Sequence, residues 1–402
     1  MLRSPILVFA LCLTACGLSG LDDTEGDGEG QEAAPVTLTV GTYNVFLREP
    51  FLEGIAYDRS NPQCRAQMLG ERLGELGLDI LALQESFALN DVLVKGFQQT
   101  AGEENWAILG QPWPRPVGPG PGHYGCFDAA GDFHQRLNGF RVTNGGVSLF
   151  SPHPYAGTPW MDVGELTETV KPDFGPTARG YCACNGDDCL AFKGLSYAPV
   201  LVHRGADVVG MNVISTHLDA GSNAENAAVR LEQLRSIRAF IEERLCTHTE
   251  RNRWPTLLVG DMNVNHRGGH DANEEYHTMM QELGNISCLH APVDAYLEVH
   301  QSWPDTNANA GTSTCKSSTI ETCSLDDVSR RLDYILMFNP RINPAYPRAN
   351  GIWRIGAITQ ASTEALMDPS CAFENKGETL NASGHLSDHK LVTATIVLTR
   401  VP

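Results

Sequence analysis

The chain has 402 residues, of which 42% are hydrophobic and 19% charged, which is ample for a large core and ordinary for a soluble globular protein. Its formal net charge of −19 repels the phosphates of nucleic acid unless a local basic patch outweighs it, and the densest basic spots are pairs such as Arg330-Arg331. No period of roughly 20 to 50 residues marks a repeat protein.

Residues 1–16 read as an export signal. Arg3 precedes an apolar run from Ile6 to Leu13 that is too short to span a bilayer as a mature helix. Leu13-Thr14-Ala15-Cys16 resembles a bacterial lipoprotein box, which makes Cys16 the lipidated first residue of the mature chain and holds the protein at a membrane surface. Ordinary cleavage after a small residue, with Cys16 incidental, is the alternative. Residues 17–35 are rich in Gly, Asp and Glu and read as a flexible acidic tether. The expected setting is therefore an exported, surface or outer-membrane lipoprotein, and residues 36–402 form the expected catalytic domain.

Val36 to Val45 alternates and is β-branched, which predicts a strand ending in Thr42-Tyr43-Asn44. Arg65 to Leu76 carries Met68, Leu69, Leu73 and Leu76 at helical spacing. Apolar strands follow over Asp79 to Glu85, Gly145 to Ser151 and Val208 to Leu218; the first ends in Gln84-Glu85 and the last in His217. Ser222 and Glu225 form a capping-box pattern before a helix with Leu231, Leu234, Ile237, Ile241 and Leu245 on one stripe. Strand Thr256 to Gly260 empties into Asp261-Met262-Asn263-Val264-Asn265. A further strand contains Asp333, and His385-Leu386-Ser387-Asp388-His389 precedes the strand Val392 to Leu398. This alternation predicts a mixed, layered α/β fold. Long loops are expected over Gln111 to Gly125, Lys171 to Asp188 and Trp303 to Ser329.

Setting aside Cys12 and Cys16, ten cysteines remain: Cys64, Cys126, Cys182, Cys184, Cys189, Cys246, Cys288, Cys315, Cys323 and Cys371. An even number behind an export signal predicts disulfides, with the pairing open. Cys182-x-Cys184-x4-Cys189 lacks a fourth ligand at zinc-finger spacing.

The polar strand ends supply the parts that phosphodiester hydrolysis needs. Glu85 suits a magnesium ion or another hard divalent cation, with Asn44 as a supporting oxygen. His217 can donate to a phosphate oxygen and Asn263 can bind phosphate. Asp261 takes a leaving-group or transition-state role. His389 is the natural general base, Asp333 can fix its tautomer, and Asp388 lies beside the site, near metal or backbone. Singly, each has an ordinary reading as a turn former, cap or surface acid. Their recurrence at successive strand ends is what carries the functional reading.

In that order, the blocks around Asn44, Glu85, Asn144-Gly145-Gly146-Val147, His217, Asp261, Asp333 and Asp388-His389 resemble the endonuclease/exonuclease/phosphatase (DNase I-like) superfamily. That resemblance implies a four-layered α/β/β/α sandwich with its site at the strand ends, over about residues 36 to 400. A narrower likeness is to bacterial secreted neutral sphingomyelinases. It lies in Asn144 to Pro154, Phe192-Lys193-Gly194-Leu195-Ser196-Tyr197, Asp261 to Asn265, and the helix bearing Arg230, Gln233 and Leu234. It implies that Asn44 and Glu85 bind magnesium, His217 and Asn263 hold phosphate, Asp261 aids the leaving group and His389 activates water.

The expected activity is a phospholipase C-type sphingomyelinase that releases ceramide and phosphocholine at a membrane surface. The expected protein is a monomer, with phospholipid as substrate and nucleic acid disfavoured. A DNase I-like nuclease is the alternative, and an inert adhesive copy of the fold a third reading. Thr363 to Gly384 offers one aromatic residue, Phe373, where membrane-lytic relatives carry an aromatic hairpin, so lysis is not expected. Trp113 and Trp160 are candidate lipid contacts, with burial as the competing role.

Overall fold

β-Branched and aliphatic runs that are apolar on both faces predict strands buried from both sides, and the strands carry that out. The structure, a computed structural model, describes residues 34–47, 61–102, 106–110, 124–136, 146–156, 176–191, 193–204, 207–248, 250–264, 269–301, 331–341, 352–371 and 386–401. The signal, Cys16, most of the tether, Trp113, Asn144, Gly145, Trp160, Phe192, Asn265, Cys315, Cys323, Phe373 and His385 lie outside the described residues. Residues Ala34–Pro402 make one unit.

In chain order the elements begin with β1 (Val36–Leu47), α1 (Pro62–Glu75), β2 (Ile80–Ser86), α2 (Asn90–Ala101), β3 (Ala107–Gly110), β4 (Tyr124–Phe127), β5 (Phe133–Arg136) and β6 (Ser148–Ser151). They continue with β7 (Thr177–Gly180), β8 (Gly194–Arg204), β9 (Asp207–His217), α3 (Ala224–Ile241), β10 (Thr256–Asp261) and α4 (Gly269–Gly284). The last are β11 (Val293–Asp294), α5 (Ala295–His300), β12 (Asp333–Phe338), β13 (Ile352–Glu364) and β14 (Leu391–Val401). One sheet runs β13-β14-β1-β2-β6-β3, a second runs β11-β12-β10-β9-β8-β7, and β4 pairs with β5 apart from both.

Side chains alternate across each strand, so each sheet has an inner and an outer face. Leu38, Val40, Ala82, Val213, Val259, Ile335 and Ile396 fill the layer between the sheets. Tyr43, Leu81 and Leu83 pack outward on Leu69, Leu73, Leu93 and Phe97 of α1 and α2. Ile214, Leu258 and Leu336 pack outward on Leu234, Ile237 and Phe240 of α3 and on Met279 and Leu283 of α4. The result is a four-layered α/β/β/α sandwich. Among the described residues no helix is long and apolar enough to cross a membrane.

Helix α3 begins one residue later than the capping-box pattern predicts. Asn223, not Ser222, is its N-cap, and its side chain accepts from Asn226 N at 2.8 Å. The side chain of Asn226 instead donates to Asp219 Oδ2 at 2.7 Å, so no reciprocal box forms. Among the described residues, four disulfides join Cys64 to Cys371, Cys126 to Cys182, Cys184 to Cys189 and Cys246 to Cys288. The cysteine triplet is therefore divided between two bridges, and it leaves no thiolates for a zinc knuckle.

Candidate active site

The alternation that builds the inner core also delivers the polar residues. Asn44 continues the row of Leu38 and Val40, His217 that of Val213, Asp261 that of Val259, and Asp333 that of Ile335. Each inner row therefore ends in a polar group at one end of the sandwich. Register aligns them further: Asp261 stands opposite His217 on β9 and opposite Asp333 on β12, and Asn44 stands opposite Gln84 on β2. Between the sheets, Gln84 Nε2 donates to Ser215 Oγ at 3.3 Å.

Two backbone features complete the row. Glu85 follows Gln84, so simple alternation would aim it outward; its left-handed φ of 52° breaks the pattern. Phe46 and Asn263 are also left-handed, at 50° each, a strain that functional sites tend to store. Gly260 has φ 146°, and a Cβ there would lie 2.0 Å from Thr216 O, so only glycine lets β9 and β10 close beside His217 and Asp261.

Asp261 is central and fully buried. Its Oδ2 accepts from Asn44 Nδ2 at 2.9 Å and lies 3.6 Å from His217 Nε2 and 3.8 Å from His389 Nε2. Asn44 Nδ2 also donates to Glu85 Oε1 at 3.1 Å, and Asn44 Oδ1 accepts from Phe46 N at 3.1 Å. His217 Nε2 lies 3.9 Å from Glu85 Oε1. His389 Nδ1 pairs with Asp333 Oδ2 at 2.8 Å. Asn263 N donates to Asp261 Oδ1 at 2.9 Å, and its side chain donates to Leu218 O at 3.0 Å. Asp388 adjoins His389, and its Oδ1 accepts from Ser387 Oγ at 3.4 Å. The structure thus brings all eight predicted residues to one end of the sandwich.

Burial and charge set the protonation of this cluster. Burial first, and the Lys193 charge second, press His217 down to about 3 against the pull of Glu85. His217 is therefore neutral near pH 7, and its Nε2, which faces two carboxylates, carries the proton. Burial pushes Asp261 up to about 7, with His389 opposing and Asp333 adding to the rise. For His389 burial acts downward, but Asp333 and then Asp261 overcome it and hold the imidazole well above its ordinary value.

Arg65 and Ser387 are supports to which the sequence assigned no role, whereas Lys193 lies in the Phe192 to Tyr197 block already noted. Ser387 Oγ donates to Asn44 O at 2.5 Å and accepts from His389 N at 3.2 Å. Arg65 binds backbone on both sides of the site; an arginine in line with Leu69 and Leu73 on the apolar face of α1 is the signal that could have found it. Lys193 Nζ donates to Asp188 Oδ2 at 3.0 Å and to Leu218 O at 2.8 Å, sharing that carbonyl with Asn263.

The donor set fits a divalent cation. Glu85, Asp261 and Asp333 are all buried carboxyl groups at this end of the sandwich, and a neutral His217 offers them no charge. One ligand atom from each of Asp261, Asp333 and His389 lies within 4.8 Å of the others, a second possible grouping beside Glu85; Asn44, expected as a supporting oxygen, turns its Oδ1 to Phe46 N and its Nδ2 to Glu85 and Asp261. A hard ion prefers the oxygen donors, and His389 Nδ1 is already committed to Asp333.

No protein-family model and no curated protein matches the sequence. Solved structures do match the fold. SmcL is 16% identical with a TM-score of 0.53 over 90% of this chain and 99% of its own. A variant of beta toxin from Staphylococcus aureus, crystallised with bound magnesium ions, is 16% identical with a TM-score of 0.53 over 89% of this chain and 99% of its own. Sphingomyelinase C from Streptomyces griseocarneus is 21% identical with a TM-score of 0.49 over 90% of this chain and 99% of its own. The fold is DNase I-like. The α/β/β/α layering that the resemblance implied is the layering observed.

Proposed function

We propose that the chain is a divalent-cation-dependent phosphodiesterase of phospholipase C type, with sphingomyelin as substrate. The observation that carries this reading is the buried Asp333–His389 pair, whose Nε2 lies 3.8 Å from Asp261, itself 3.6 Å from the neutral His217. The finer choice of sphingomyelin leans on the blocks around Gly146, Lys193 and Asp261 described above. Magnesium is the proposed ion.

Glu85, its carboxylate oriented by the Asn44 amide, would hold the ion, which when bound neutralises phosphate charge. In its neutral form, which a cation bound beside it would favour over the imidazolium, His389 Nε2 takes a proton from water as the water oxygen bonds to phosphorus, and Asp333 stabilises the resulting imidazolium. His217 donates its Nε2 proton as a neutral hydrogen bond to a non-bridging oxygen, and Asn263 holds another. Asp261, raised to about 7, is protonated in part near neutrality and gives a proton to the departing oxygen as its bond to phosphorus breaks. The products are an alcohol, here ceramide, and a phosphomonoester, here phosphocholine.

The test is head-group release from a panel of phospholipids, with plasmid DNA alongside, in magnesium or in chelator. Phosphocholine release from sphingomyelin, lost in chelator and in His389→Ala, is the expected result. DNA cleavage without head-group release decides for a nuclease, and no hydrolysis of any diester removes the enzymatic reading.

Export, lipidation at Cys16 and action as a monomer at a membrane surface belong to the same proposal. The four disulfides support an oxidising compartment.

A further inference from the structure

We propose that the first turn of α1 is a clamp that positions the two halves of the active site, with Arg65 as its positioning residue and the Cys64–Cys371 disulfide as its covalent arm. This proposal rests on the hydrolytic reading above. Arg65 is 1% exposed. Its Nε donates to Leu386 O at 2.9 Å, and its Nη2 donates to Val45 O at 3.0 Å and Phe46 O at 2.9 Å. Val45 and Phe46 immediately follow Asn44; Leu386 stands three residues before His389. One guanidinium therefore grips the backbone of both segments that supply the site.

Each grip passes directly to a site residue. Phe46, whose carbonyl Arg65 binds, donates its N–H to Asn44 Oδ1 at 3.1 Å. That bond leaves Asn44 Nδ2 aimed at Glu85 and Asp261. Leu386 precedes Ser387, whose hydroxyl joins Asn44 O to His389 N. The β1 exit and the His389 segment are thus linked twice, once through Arg65 and once through Ser387. Phe46 has a left-handed φ of 50°, and its carbonyl accepts from the guanidinium, a bond that helps hold that conformation.

The covalent arm is adjacent. Cys64 precedes Arg65 and is bonded to Cys371. Cys371 and Leu386 are the described residues on either side of 372–385, and consecutive residues of α1 hold both. Leu386 N also donates to Leu366 O at 3.0 Å, which ties the His389 segment to the chain entering Cys371. A lysine could not replace Arg65, because a point charge on a flexible stem cannot span three carbonyls from two segments. Loss of either arm would let Leu386 and Ser387 shift, and with them His389 Nε2 relative to the reacting water.

The test uses the full chain as Arg65→Lys, as Cys64→Ser/Cys371→Ser, and as the two combined. Turnover is read on bis(p-nitrophenyl) phosphate at saturating magnesium, and amide hydrogen exchange on the same proteins. Each variant should lose about 10- to 100-fold in kcat, the scale expected of a displacement near 1 Å. KM should stay within about two-fold, because ground-state binding is not what the clamp controls. The combined loss should fall well short of the product of the separate losses, since both arms hold one segment. Amides of Leu386 and His389 should lose protection while Val213 and Leu258 keep theirs.

Parental kcat in both variants, or unchanged protection at Leu386 and His389, overturns the clamp. A parent protein that hydrolyses no diester overturns the hydrolytic reading instead, and the exchange measurement still decides the clamp. If Arg65→Lys does not fold, the disulfide variant carries the same two readouts.

Discussion

Asp333→Asn separates the charge of the orienting carboxylate from its shape. Asp333 is fully buried, and its Oδ2 sits 2.8 Å from His389 Nδ1. With charge centres roughly 4 Å apart at an effective dielectric near 20, the attraction of Asp333 for a protonated His389 is about 4 kcal/mol. At about 1.36 kcal/mol per tenfold, its loss from the transition state costs about three decades in kcat. The pH profile should move as well. Asp333 and Asp261 together raise His389 well above its ordinary value against the effect of burial. A base must be neutral to accept a proton, and removing the Asp333 charge lowers the pKa of His389. The acid limb of kcat should therefore shift to lower pH while the plateau falls, so the deficit is smaller at about pH 5 than at about pH 8. The assay is head-group release at saturating magnesium across that range, with the melting temperature of each protein as the check on folding. A plateau loss under about tenfold, or an acid limb displaced to higher pH, would refute the assignment of Asp333 to His389.

Glu85→Gln should raise the magnesium concentration for half-maximal rate by about tenfold or more, whereas Asp333→Asn should leave it nearly unchanged; titration of rate against magnesium separates the two cation groupings. Asp261 has a folded pKa raised to about 7, so its stabilising contribution is present below the ordinary carboxylate range and lost as pH rises through that value. A cation held at Glu85 binds more tightly as Asp261 nearby ionises, so the magnesium-induced rise in melting temperature should grow from about pH 5 to about pH 8; a pH-independent rise would count against it. Gly260→Ala places a methyl against Thr216 O at a φ of 146° and should cost about 2 to 4 kcal/mol in denaturant unfolding, because strain and overlap add. Cys16→Ala should move the protein out of the membrane fraction, and unchanged fractionation would remove the lipid anchor.

What could be read beforehand divides along physical lines. Asn44, Glu85, His217, Asp261 and Asp333 each stand at one end of an apolar strand, so a sequence pattern alone shows a polar residue where the apolar run stops. Their convergence followed from strand order, because β1, β2, β9 and β10 run parallel within each sheet and present their C-terminal ends together. Strand β13 gave no such signal. It is an edge strand with two bulges, its residues are mostly exposed or half-buried, and Gly356 interrupts it, so neither alternation nor an apolar run survives in the sequence. The cap of α3 was misplaced because Ser222 and Asn223 are both good caps and only tertiary bonding to Asp219 selects between them. Arg65 was hidden for a different reason. Its partners are backbone carbonyls of Val45, Phe46 and Leu386, and a carbonyl leaves no mark on residue identity. Side-chain chemistry at strand ends is thus legible from sequence, whereas the backbone contacts that hold it in register become visible only in three dimensions. The eight residues first singled out are therefore the polar side chains gathered at one end of the sandwich, and the supports found beside them, Arg65 and Ser387, bind backbone.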